Sequence, residues 1–153
     1  MAASSINRET VRDAVYTLLY AKLVTGGITD KTYGYKVDDF ATPVSVVVVT
    51  NGGVRRVQNF ADDTWDTWVL LDVWTFTLAS LEDDSWTRAN AEDKRDLIEK
   101  SIADCYEDNY SNDTWLKLEY DGDTETGEDD VKELGGHHYL IERIPTRVYV
   151  PRG

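Results

Sequence analysis

The run from Trp68 to Ala79 constrains this chain more than any other. Trp68, Leu70, Asp72, Trp74 and Phe76 alternate with Val69, Leu71, Val73, Thr75 and Thr77. Successive side chains on a strand point to opposite faces, so both faces of this segment are largely apolar. Such a strand belongs inside a sheet with other structure on it, and the pattern predicts a central strand ended by Glu82-Asp83-Asp84. A second β-branched run, Val44 to Val49, is too short for a typical helix and reads as a buried strand. Asn51-Gly52-Gly53 follows it and predicts a hairpin turn, after which Val54 to Phe60 pairs back. Tyr33, Tyr35 and Val37 alternate as a short edge strand, Trp115 to Tyr120 forms another, and Tyr139 to Val150 forms the last. Pro145 interrupts that last strand and predicts an edge position or a bulge.

Two segments carry helical spacing instead. Asn7 has the chemistry of an N-cap, and Val11, Ala14, Val15, Leu18, Leu19 and Leu23 recur on one stripe until Gly26-Gly27, which predicts a helix over about 7–25. Thr87 to Asn109 predicts a second helix with Leu97, Ile98, Ile102, Cys105 and Tyr106 inward, and Lys94, Arg95, Glu99 and Lys100 outward. Residues 1–153 then form a single α+β domain, a mixed, mostly antiparallel sheet of four to five strands packed with two helices.

Acidic residues outnumber basic ones by 29 to 16, a net charge of −13. That balance repels phosphate backbones and anionic membranes at long range, which excludes DNA gripping and lipid binding. No apolar stretch is long enough to span a bilayer, and Met1 to Ser5 lack the apolar centre of a signal peptide. The single cysteine, Cys105, cannot form an internal disulfide, which fits assembly in a reducing cytoplasm. The acid is uneven along the chain. Ala61 to Thr67 reads as an acidic loop with Asp62, Asp63 and Asp66, and residues 119–133 read as a solvated loop or hairpin tip with Asp121, Asp123, Glu125, Glu128, Asp129 and Asp130.

None of the chemistry-bearing patterns closes into a site. Asp121, Asp123, Glu125 and Asp129 have the spacing of calcium ligands, but Thr126 replaces the required glycine and Lys132 the closing glutamate. His137 and His138, the two histidines of the chain, alternate to opposite faces of a strand and cannot share a metal easily. Cys105 has Ser101 and Asn109 one turn away and no cation by helical spacing, so it reads as a buried thiol. Phosphate loops, nucleophile elbows and zinc-protease motifs are absent from the sequence. The expectation is no catalytic residue, no metal and no cofactor. Arg55, Arg56, Arg143 and Arg147 stand on strands, and Trp65 and Trp86 beside acidic stretches. Arg and Trp are enriched in protein interfaces, so these six are candidates for subunit contacts.

The order of elements resembles a known family. The carrying stretches are Thr42 to Val49 (TPVSVVVV), Asn51 to Arg56 (NGGVRR), Ala91 to Glu99 (AEDKRDLIE) and Tyr139 to Tyr149 (YLIERIPTRVY). Together they resemble the tail-terminator family of long-tailed bacteriophages and its relatives at the head–tail junction. The likeness covers most of the chain as order and pattern, without a diagnostic motif, and leaves residues 121–133 unmatched. It implies a non-enzymatic virion protein of the tail or neck that forms a homohexameric ring. It further implies two partners besides itself, the tail tube protein and the head–tail connector, with DNA in transit and not bound. The acids at 61–66 and 121–133 would then line the channel or face a neighbouring ring. The competing expectation is an acidic binding module or adaptor that engages a basic protein, with a small carboxylate enzyme ranked last.

Overall fold

In the computed structural model the two β-branched runs become the long strands of one sheet. The structure describes residues 7–35, 44–59, 64–79, 81, 85–126, 131–134 and 136–151. Helix α1 (Arg8–Leu19) continues as a π-helical segment (Tyr20–Thr25). Then come β1 (Lys31–Tyr33), β2 (Ser45–Asn59), β3 (Thr64–Leu78), helix α2 (Arg88–Asp108), β4 (Lys117–Tyr120), β5 (Val131–Leu134) and β6 (His137–Pro151). The strand path is β1-β2-β3-β6-β4, with β5 also paired to β6. Only β1 runs parallel to its neighbour, so the expected mixed, mostly antiparallel α+β sheet is what forms.

Helix α1 begins where Asn7 accepts a hydrogen bond from the backbone N–H of Glu9 at 2.8 Å. Val11, Val15, Leu19 and Leu23 are all fully buried. A strict spacing of four drifts around an α-helix. The wider π-helical turns at Tyr20–Thr25 return Leu23 to the buried line. Helix α2 is capped by Thr87, which accepts from the N–H of Asn90. Its buried stripe is Ala91, Ile98, Ser101, Ile102, Cys105 and Tyr106. Leu97, expected inward, is 47% exposed. With Ile98 at the centre of the stripe, a residue one position earlier is rotated about 100° away. Both helices pack on one face of the sheet, over Val47, Val49, Val69, Leu71, Val73, Ile144 and Val148.

Asn51-Gly52-Gly53 does not turn the chain. Strand β2 runs through it and pairs with β3 from Ser45 opposite Thr77 to Asn59 opposite Thr64. Asn51 faces Leu71 and Gly53 faces Leu70, so Gly52 is the extra residue of a β-bulge. A Cβ on Gly52 would lie 3.2 Å from the carbonyl of Leu70, and Gly53 holds φ of +123°. Gly52 is needed for close backbone approach and Gly53 for its positive φ, and the chain passes from β2 to β3 between Asn59 and Thr64, through residues 60–63 that lie outside the described residues. The bulge also switches faces. Val46 and Val48 before it and Arg55 and Val57 after it all stand on the side away from the helices, while Arg56 stands on the helix side.

Three other expectations change. Asp66 is in β3, opposite Val57 and Pro151, and not in a loop. Strand β6 is interior, flanked by β3 along most of its length and by β4 and β5 on its other side. Pro145 is tolerated there because the odd-numbered residues of β6 bond toward β4, as Arg143 does with Glu125. Strand β4 ends at Tyr120, and Asp121 still donates to the carbonyl of Pro145, so the proline forgoes only the return bond at the end of that ladder. The acidic stretch 121–125 is not a free loop either. Asp121 donates its N–H to the carbonyl of Pro145 at 2.7 Å, and Glu125 and Arg143 exchange both backbone bonds. The edge strand therefore runs along β6 as β4, a Gly122 kink at φ +101°, the Glu125 bridge and then β5.

Candidate interaction face

The sheet face away from the helices is covered at one end and open at the other. At the covered end Val46, Val48, Phe76, Leu78 and Tyr139 are buried, with Trp74, Leu81, Trp86 and Ile141 against them. Trp86 donates its indole N–H to the carbonyl of Leu78 and also packs on Ala79, Ala91 and Leu140. It seals the core edge, which removes it as a free interface anchor. At the open end β3 offers Trp68 and Leu70, both half-buried, between Arg55 and Val57 on β2 and Arg147 and Tyr149 on β6.

Stacking orders this open end. The Trp68 and Tyr149 rings lie 4.7 Å apart between centroids, Arg147 lies over Trp68 at 5.1 Å, and Lys117 lies over Tyr149 at 5.9 Å. Such contacts fix large side chains before any partner arrives. Arg55, Val57, Asp66, Trp68, Leu70, Asp121 and Arg147 enclose a concavity of about 360 Å³.

The arginines of β6 find their carboxylates within the same chain. Arg143 bonds Asp72 through Nη2 at 2.8 Å and Nε at 2.9 Å, and Glu125 through Nη1 at 3.1 Å. Arg147 bonds Glu119 through Nε at 2.8 Å and approaches Asp121 at 3.7 Å. The acidic stretch thus has an internal task, which is to neutralise β6 while following its edge. Asp121 and Glu125 are tied into this ladder, and Asp123 is exposed beside it. Arg55 and Arg56 are exposed on opposite faces of β2. Trp65 has its backbone in β3 opposite Gln58, and its side chain lies outside the described residues. Asp62, Asp63, Glu128, Asp129 and Asp130 lie outside them as well.

Two polar features escaped the sequence reading. Glu142 lies under α2, 8% exposed, and accepts a hydrogen bond from Thr124 Oγ1 at 2.8 Å. Burial pushes its carboxyl above the ordinary value, against the opposing effects of Thr124 and Arg95, and Glu99 and Asp96 push the same way as burial. Thr75, directly opposite Glu142 on β3, is fully buried with no hydrogen-bond partner for its hydroxyl among the described residues. The second feature is a concavity of about 500 Å³ lined by Arg12, Tyr16, Tyr20, Tyr33, Tyr35 and others at the β1 edge. Tyr16 and Tyr20 are an i,i+4 pair with ring centroids 6.0 Å apart, and the concavity they share with Tyr33 is formed by tertiary packing.

The remaining candidates stay apart. His138 approaches Glu133 at 3.7 Å, and among the described residues no three of His, Cys, Asp and Glu converge as metal ligands. Cys105 is buried, and that burial raises its thiol, opposite to what a nucleophile needs. The chain matches no protein-family model and no curated protein.

Proposed function

We propose that this chain is a structural subunit of a phage tail or neck, a tail terminator or adjacent connector that joins copies of itself into a ring. The ring caps the tail tube, meets the head connector, and lets DNA through without holding it. The observation that carries the reading is the open end of the sheet face, where Trp68, Tyr149 and Arg147 are pre-stacked and half-exposed beside Leu70 and Val57. Trp, Tyr and Arg are the anchors that dominate protein interfaces. The family resemblance of the sequence supplies the setting, and the net charge of −13 suits a passage that repels a duplex. The part of the acid between Glu119 and Glu125 is partly spent on Arg143 and Arg147. The proposed lining therefore falls on the acids outside that ladder.

An acidic adaptor that engages a basic partner is the second reading, favoured by Asp123 and the exposed acids of α2. Negative-stain imaging of the purified chain, alone and with a tail tube protein, separates the two. Closed rings support the ring reading. A monomer that ignores the tube protein but binds a basic protein supports the adaptor.

A further inference from the structure

We propose that the edge of β2 that no described strand covers docks a second copy of this chain through the acidic edge of that copy's sheet. The inference rests on the ring reading and names its contact. Strand β1 covers β2 only from Val46 to Val48. From Val49 to Asn59 no described strand lies on that side. An edge with unpaired N–H and C=O groups is a template for another strand.

Charge selects the occupant. Val49 to Asn59 carries Arg55 and Arg56 and no acid, in a chain with 29 acids. Two copies at −13 each repel on most approaches, and this edge is where that repulsion reverses. Pairing of two β2 edges about a twofold axis would set Arg55 and Arg56 against their own copies, which like charge disfavours. The bulge at Gly52 adds to that protection. The contact is therefore head-to-tail.

The opposite edge of the same sheet has the complementary sign. Lys117 to Glu125 holds Glu119, Asp121, Asp123 and Glu125 against Lys117 alone, and Arg143 and Arg147 of β6 offset part of that excess. Asp123 is exposed and has no ion-pair partner among the described residues. Leu118 already donates its N–H to Tyr110, which centres the contact on 121–125. Basic edge to acidic edge repeats in one direction, and heterologous contacts of this kind close into rings when the rotation permits.

The test uses native mass spectrometry and backbone hydrogen exchange on the full chain and on R55E/R56E. The wild type should assemble at low salt, protect the amides of 49–59 that do not bond to β3, and dissociate at about 1 M salt, where screening acts within about 3 Å. R55E/R56E should be monomeric with an unchanged thermal midpoint and fast exchange at those outward amides, and mixing it with D123R should restore assembly in part. An R55E/R56E chain that assembles like the wild type overturns the inference, as does a wild-type assembly that leaves the outward amides of 49–59 unprotected, and either leaves the ring reading standing. A wild type monomeric at low salt and high concentration overturns the inference. It overturns the ring reading as well only if the chain is also monomeric beside tube protein.

Discussion

Glu142 shows how burial and charge compete at one residue. Its carboxyl is raised above the ordinary value in the folded chain, chiefly by desolvation. Its stabilising contribution is therefore full below the unfolded value and lost as pH rises through the folded one, so at neutral pH the ionised form is a burden. Glu142→Gln keeps an acceptor for Thr124 and should stabilise the chain at pH 7 by up to about 1 kcal/mol. The gain should shrink as the pH falls into the ordinary carboxylate range. Urea unfolding at pH 7 and pH 4 measures both, and a variant less stable at pH 7 would mean that Arg95 outweighs burial. Arg143 makes the opposite case, because Asp72 behind it is only 22% exposed while Glu125 in front is 64% exposed. Arg143→Ala should cost about 1–3 kcal/mol by stranding Asp72, and Glu125→Gln less than about 0.5 kcal/mol. Neither Glu142 nor Asp72 was legible as special, since both draw their chemistry from residues distant in sequence.

Elements were legible where one strand or helix decides its own burial. Strand β3 was readable because its two-faced pattern needs no knowledge of its neighbours, and the Asn7 cap because it bonds within its own first turn. Asn51-Gly52-Gly53 was misread because the same residues serve a turn and a bulge, and the deciding contact is with Leu70 across the sheet. Gly53→Ala should cost about 1–3 kcal/mol in thermal unfolding, since φ of +123° suits glycine almost alone. Pro145 was misread because what accommodates it, the end of β4 beside it, lies in the neighbouring strand. Helix α2 gives a direct check on its rotation. Ile98→Ala should cost about 2–5 kcal/mol and Leu97→Ala less than about 1 kcal/mol, whereas two equal losses would mean that both face the core.

At the scale of the whole molecule, the helices sit on one side of a sheet whose long strands span about 50 Å, and among the described residues the other side is sealed only at the Trp86 end. The sequence showed that acid and arginine were segregated. It did not show that Arg143 and Arg147 turn inward on their own acids, nor that Arg55 stands exposed on a stretch of β2 whose outer edge no described strand covers. Those facts depend on strand order, which no local pattern encodes. They shift the proposed self-contact from β6 to β2. The most direct measurement is the native mass of the full chain at low ionic strength, alone and with tail tube protein. A species of about six times the 17.4 kDa chain mass is the expected result. A chain that stays monomeric under both conditions contradicts the ring.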